Sequence, residues 1–380
     1  MIVRQFLRWI QTAPPGDRAE ATSALARAYL YSDLTDDDRL AADAAMTVLL
    51  DDPSPLVRLA LAEALASAPE APHGVIIGLA HDQPDIATIV IGRSPVFCDA
   101  ELVDLMAAGG ISVQSAVAGR ETVSRALAGA IAEVAGPAAC LVLIENPYAD
   151  VPVDALARVA DRHGRLSAVR EALLARDDLP AETQQSLIAR LSETLARFVT
   201  DRDWISEDRA RRVAREACDR ATVAIATGKE VDELAALVRH LVASGQLTGN
   251  LLLRALLCGH TQFLIEAFAE LSGVRAERVA RILSDRNAHG FRALYERSGL
   301  PAAAFSAFRL AIETMNEAGF VGDNYGAATL KRRMIERVLT RYESMAEGEL
   351  DQLLAMLKRF SAEAAREEAR YFTADLVAAA

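Results

Sequence analysis

The stretch Asp51-Asp52-Pro53-Ser54-Pro55-Leu56-Val57-Arg58-Leu59-Ala60-Leu61-Ala62-Glu63-Ala64-Leu65 constrains the fold of this chain more than any other. A polar, proline-bearing turn opens into an amphipathic helix, with Val57, Leu61, Ala64 and Leu65 on the buried stripe and Arg58 at its rim. A helix this short cannot bury its apolar face alone. It needs neighbours of the same kind, so the phrase implies helical hairpins stacked side by side around a shared core.

The pattern recurs. Ala21, Ala24, Leu25 and Ala28 give a first stripe at helical spacing, and Thr35-Asp36-Asp37-Asp38 starts a second helix. There a hydroxyl or carboxylate can cap free amides, and the acids suit the positive end of the helix dipole. Leu40, Ala44, Val48 and Leu49 are expected on the inner side of that helix. His81-Asp82-Gln83-Pro84-Asp85, Asp99-Ala100-Glu101-Leu102, Gly109-Gly110-Ile111-Ser112, Asn146-Pro147-Tyr148-Ala149-Asp150 and Asp177-Asp178-Leu179-Pro180 then echo the first turn, each separating apolar stretches. Val75-Ile76-Ile77 and Ile86 to Ile91 are the only strand candidates, and both are short enough to be buried helix.

Composition agrees with helix. The 380 residues are 52% hydrophobic but only 5% aromatic. Ala, Leu, Arg and Glu recur throughout, and these side chains lose little rotamer freedom in a helix. Such a chain can bury one long core or two adjoining ones without disulfides or metals. Lys and Arg total 41 against 53 Asp and Glu, a formal net of −12. A chain this negative is repelled by phosphate backbones unless a local basic stripe overrides the mean, so general nucleic-acid binding is not expected. Cys98, Cys140, Cys218 and Cys258 lie far apart, with no ligand spacing among them, and are read as reduced core thiols of a cytoplasmic protein. Arg4 and Arg8 interrupt the apolar run Met1 to Ile10, no cleavage site follows, and no stretch reaches the roughly 20 apolar residues of a membrane span.

Texture divides the chain into three expected parts: a helical repeat array over 1–200, a second helical subdomain over 201–326, and capping or self-association helices over 327–380. The first boundary rests on Thr200-Asp201-Arg202-Asp203-Trp204, around which the helices become longer and more charged. Val231 to Leu271 is the densest apolar stretch and the expected deepest core. The last helices, with Leu350, Leu353, Leu354, Leu357 and Phe360, could cap the stack or pair with another copy.

Asp52-Pro53-Ser54-Pro55-Leu56-Val57-Arg58 resembles the HEAT-repeat signature, and Leu251-Leu252-Leu253-Arg254-Ala255-Leu256 and the run Ala288 to Pro301 add to the likeness. Together they resemble an uncharacterised bacterial domain-of-unknown-function family with HEAT-like repeats, from about Asp36 to about Glu313. The resemblance implies an all-α fold, a right-handed αα superhelix of hairpins with a C-terminal helical subdomain, and carries no chemistry.

Of the six histidines, His73, His81, His163, His240, His260 and His289, none lies in an HExxH pattern, and no nucleophile-elbow or P-loop motif occurs. His81-Asp82 and Asp161-Arg162-His163 could be acid–base or metal pairs, but both sit near turns where such residues cap helices. Gly322-Asp323-Asn324-Tyr325-Gly326 reads as a helix-to-helix turn, since no Lys-Ser/Thr follows it. The strongest basic cluster runs from Arg209 to Arg220, where Arg211, Arg215 and Asp219 share a face and Arg212 can pair with Glu216. No catalytic, cofactor or metal residue is assigned. The candidate partner-binding residues are Arg58, His81, Arg211, Arg212 and Arg215.

These readings point to a non-enzymatic scaffold or regulatory adaptor that takes a protein or peptide on the concave face of the stack, in the groove of its first half. The alternatives are an enzyme or nucleic-acid-binding protein on the same architecture, or a structural protein that forms homo-oligomers through its last helices.

Overall fold

A computed structural model describes residues 8–285, 290–318, 324–343 and 351–378. Met1 to Leu7, His289, Gly322-Asp323 and Leu350 lie outside the described residues, as do the side chains of Asn324 to Gly326, Leu353 and Leu354. The described chain is helical throughout, with one isolated β-bridge between Val123 and Ala149. Both strand candidates are helix: Val75 to Ile77 and Ile86 to Ile91 each bury one face of a short helix between two neighbours. The chain divides into two compact units, 1–179 and 180–380.

The first unit includes the helices α1 (Pro15–Tyr31), α2 (Asp36–Leu49), α3 (Pro55–Leu65), α4 (His73–Ala80), α5 (Pro84–Arg93), α6 (Asp99–Ala108), α7 (Ile111–Ala118), α8 (Arg125–Val134), α9 (Pro137–Glu145), α10 (Val153–His163) and α11 (Ser167–Leu174). Alternate helices stack. The sequence α1, α3, α5, α7, α9, α11 forms one continuous layer, while α2 packs on α4, and α6, α8 and α10 pack in succession in the other. This two-layer alternation is the arrangement of stacked hairpins. Proline at the first position of α1, α3, α5 and α9 presets the helical φ where no intrahelical donor is needed. Thr35 caps α2, accepting from the Asp38 amide at 3.2 Å.

The layers are pinned by polar side chains that cross from one hairpin to the next. Arg18 forks onto Asp52 at 2.8 and 3.0 Å, and Asp52 also accepts from the Ser54 amide at 2.8 Å. Arg58 repeats the device, forking onto Asp82 at 2.5 and 3.0 Å and donating to the Asp52 carbonyl at 2.6 Å. Further along the direction reverses, and each hairpin covers carbonyls at the end of the helix before it. Buried Arg120 donates to the Ile91 and Ser94 carbonyls, Asn146 to those of Ala118 and Arg120, and Arg176 to that of Ile144. Among the turns legible as echoes in the sequence, the one at Asp82 receives a rung of this ladder and the one at Asn146 donates one.

Two stripes are rotated from their expected positions. In α1 the buried residues are Thr22, Ala26 and Tyr29 rather than Ala24 and Leu25; in α2 they are Ala42, Ala45, Met46 and Leu49. Leu40 and Val48 are 70% and 61% exposed. Both helices are so rich in alanine that the apolar contrast between their faces is small, and the close approach of neighbouring helices favours the small residues.

The second unit begins with a long hairpin, α12 (Ala181–Thr200) and α13 (Glu207–Ala226), followed by α14 (Val231–Ala243), α15 (Gly249–Leu257), α16 (Thr261–Ser272), α17 (Ala276–Ser284), α18 (Phe291–Arg297), α19 (Phe305–Ala318), α20 (Asn324–Glu343) and α21 (Asp351–Ala378). The sequence placed a boundary near residue 200, but α12 packs along the whole of α13 and so shares its unit. Likewise α20 and α21 send Met334, Ile335, Val338, Met356, Leu357 and Phe360 into the same core as the preceding helices. The centre of that core is α15, in which every residue from Leu251 to Leu257 is buried. A helix apolar on all sides belongs at the middle of a core. Phe268, Phe291, Tyr295, Phe305 and Phe308 close the core beside it, with ring centroids 5.3–6.4 Å apart.

The ladder gives a prediction for Arg58→Ala. The substitution leaves Asp82 with the Gln83 amide alone and the Asp52 carbonyl without the guanidinium, which costs about 1–3 kcal/mol. Burial alone would raise the Asp82 carboxyl, but the bonds from Arg58 and the Gln83 amide bring it below the ordinary value. A depressed folded value means the pair's contribution is present above the unfolded carboxylate range, about pH 4, and is lost as acid titrates the folded group. Thermal denaturation is expected to show the full gap between wild type and variant at pH 7 and a shrinking one below about pH 4.

Candidate functional site

In the second unit the hairpin α12–α13 stands beside α21 and the α14–α15 connection, leaving a cleft of about 890 Å³. The turn between the hairpin helices places Asp203 in the left-handed region, at φ 55°. It folds Trp204 back so that its amide bonds the Val199 carbonyl at 3.1 Å and its ring meets Phe198 edge-on. Glu207 and Asp208 then occupy the first turn of α13, where acids are favoured, and the arginines follow.

Arginine dominates the lining: Arg190 from α12, Arg211, Arg212 and Arg215 from α13, Arg254 from α15 and Arg359 from α21. These cations differ in what they already hold. Arg211 pairs with Glu207 one turn back, and Arg359 pairs with Glu216. Arg359 thus takes the acid that the sequence offered to Arg212. Arg212 and Arg215 are exposed on the cleft wall and make no ion pair among the described residues. Their guanidinium groups are open to an incoming anion, in the planar fork geometry that suits carboxylate and phosphate.

The floor is more crowded. Arg254, 6% exposed, lies with its guanidinium 3.9 Å from the Phe360 ring centroid and donates to Glu363 at 3.1 Å, while its Nε has no hydrogen-bond partner among the described residues. Asp219 lies on the same wall as the free arginines, one turn of α13 beyond Arg215. Burial pushes its carboxyl up to about 6; Arg254 and Arg215 pull it down and Glu216 pushes it further up. Beneath it, buried Gln185 donates to Gln246 Oε1 at 2.6 Å and meets His240 Nε2 at 3.1 Å through its own Oε1. An acceptor at that distance requires the imidazole to carry its proton on Nε2. The same Gln185 amide reaches Cys218 Sγ at 3.7 Å. Burial and the neighbouring Asp219 both push the Cys218 thiol up, which holds it protonated, the reverse of what a nucleophilic thiol needs.

The remaining candidates lie in the first unit. Arg58 is taken up by the ladder, and His81 is exposed with Nδ1 2.9 Å from the Ile77 carbonyl. Its neighbour Asp82 turns away to Arg58, so the pair forms no acid–base couple. His163 is lowered by burial and by Arg162, and Arg162 donates to the Ala132 carbonyl at 2.5 Å. Among the described residues no three His, Cys, Asp or Glu side chains converge as metal ligands, and no helix is long and apolar enough to cross a membrane. Sequence reasoning found Arg211, Arg212 and Arg215 but missed Arg190 on the preceding helix and Arg254 and Arg359, which come from 39 or more residues further along the chain. Arginine inside the otherwise apolar run Leu251 to Leu257 was the one available signal for the former.

A two-layer stack of helical hairpins and a second helical unit bearing an arginine-lined cleft define an all-α protein of the repeat type, with a site suited to anionic groups. The chain belongs to a family of uncharacterised proteins conserved in bacteria (DUF2336), which it matches over residues 86–348. The match begins at α5, beyond the Asp52 to Arg58 phrase that most resembles a repeat signature, and extends past Glu313. No curated protein and no solved structure matches the chain.

Burial also ranks the thiols. Cys98 is exposed, Cys140 is fully buried and its thiol is raised by that burial, and Cys218 is raised as described. With iodoacetamide at pH 7.5, peptide mass spectrometry is expected to find Cys98 alkylated first, with Cys140 and Cys218 reacting at least about tenfold more slowly.

Proposed function

We propose that this protein is a non-enzymatic scaffold or regulatory adaptor that binds an acidic segment of a protein partner in the cleft of its second unit. The observation that carries the reading is the pair Arg212 and Arg215, exposed on the cleft wall and making no ion pair among the described residues. The occupant is acidic although the chain carries a formal net of −12, because the local wall is opposite in sign to the chain as a whole. A peptide suits the cleft better than a nucleic acid does. Glu193, Glu216 and Asp219 are interleaved with the arginines and would lie against a continuous phosphate backbone, whereas discrete side chains can meet the cations and avoid the acids. The absence of a disulfide among the described residues is in keeping with a role in the reducing cytoplasm. The first unit, whose Arg18 and Arg58 are engaged within the stack, serves in this reading as scaffold.

The test is fluorescence anisotropy of a labelled octaglutamate peptide with the full chain. Binding is expected to weaken as salt rises from 50 to 300 mM, since the wall charges are solvent-exposed. The double substitution Arg212→Glu with Arg215→Glu is expected to weaken it by about tenfold or more. Equal affinity of wild type and variant would remove the proposal, and preferential binding of a single-stranded oligonucleotide would favour a nucleic-acid role instead.

A further inference from the structure

The arginine cleft contains an acid that works against an acidic ligand. Asp219 lies in its wall, yet its carboxylate makes no hydrogen bond or ion pair among the described residues. The nearest buried cation does not supply one. Arg254 is directed to Glu363 and stacked on Phe360, and Glu363 draws Arg220 as well, at 3.8 Å. Arg359, the cation that α21 contributes, is held by Glu216. Asp219 is therefore a desolvated carboxylate without a committed counter-ion, next to the two arginines that an incoming carboxylate would use.

We propose that Asp219 is a specificity-determining residue of the cleft, and that an acidic side chain enters beside it only together with a proton, which the Asp219 carboxyl takes from solvent. This rests on the reading of the cleft as a site for an acidic protein segment. Two carboxylates sharing a desolvated site cannot both stay ionised, so the ligand's charge raises the proton affinity of the acid already there. The proton balance is simple: one is taken up on binding, one is released on departure, and no covalent bond changes. Asp219 titrates near 6 in the empty cleft, so affinity rises as pH falls from neutrality through that value, and the empty site at pH 8 presents a fixed negative charge that screens out weaker anions.

Other groups face the same space and set the background. They are Arg190 and Glu193 on α12, Arg212, Arg215, Glu216 and Cys218 on α13, and His240 on α14. Arg211 faces it from α13, Arg254 from α15 and Arg359 from α21, while Glu363 of α21 and Lys331 of α20 line a separate small cavity that also borders Arg254. Asp219→Asn is the decisive variant, since it leaves the His240 imidazole in place.

The experiment is isothermal titration of octaglutamate into the full chain and into Asp219→Asn, at pH 5.5, 6.5 and 7.5. For the wild type the measurement at pH 7.5 is repeated in two buffers of different ionisation enthalpy. The wild-type dissociation constant is expected to fall by about tenfold between pH 7.5 and 5.5, with uptake of close to one proton per peptide. Asp219→Asn is expected to bind at pH 7.5 at least as tightly as the wild type does at pH 5.5, with a nearly flat profile. Identical pH profiles in the two proteins, or no proton uptake by the wild type, would overturn the role of Asp219 while leaving the cleft as an acidic-segment site. If neither protein binds the peptide at any pH, the reading of the cleft fails, and the inference with it.

Discussion

The carbonyl groups at the ends of short stacked helices govern how the first unit is built. A helix of eight to eleven residues leaves its last four carbonyls without intrahelical donors, and in a stack several of those ends are enclosed by the next hairpin. Each carbonyl left bare in such a place costs about 1–3 kcal/mol. Arg120, Asn146 and Arg176 cover them from the following repeat, while Arg18 and Arg58 tie the earlier hairpins through Asp52 and Asp82. Satisfying the ends and fixing the spacing of the stack are thus one event.

The second unit meets the same burial requirement in another way. It surrounds α15 completely, so the helix needs no polar face, and the surrounding helices are long enough to protrude beyond it. The cleft follows from that excess of length. The outer halves of α12 and α13 extend past the core they anchor, and α21 stands alongside with Arg359 and Phe360. Arg254 is the single charge admitted into α15, and the stacked ring of Phe360 together with Glu363 makes its burial tolerable.

Much of this was legible in the sequence. The prolines and aspartates of the first half mark the turns because their backbone preferences are local, and the helical class follows from spacing and composition. Which face of α1 or α2 is buried was not legible, since alanine and threonine fill positions where leucine was expected. The division near residue 180 was hidden as well, because the charge that sets α12 apart from its predecessors does not reveal that it lies along α13. Within the site, the α13 arginines stood out as a run. Their ordering into paired and unpaired did not, for Glu216 lies one turn from Arg212 in sequence but is claimed in space by Arg359, 143 residues away. Local spacing proposes ion pairs, and long-range packing decides among them.

The cross-hairpin ladder also bears on how such a chain can change length. A cut through the middle of a hairpin would strip the donor from one neighbour and the acceptor from the other, exposing raw ends on both sides. Removing or inserting a complete donor-to-acceptor interval leaves every surviving end still matched. Growth and shrinkage of the array are therefore confined to whole-module steps, with the polar rungs acting as the joints at which segments can be added or taken away.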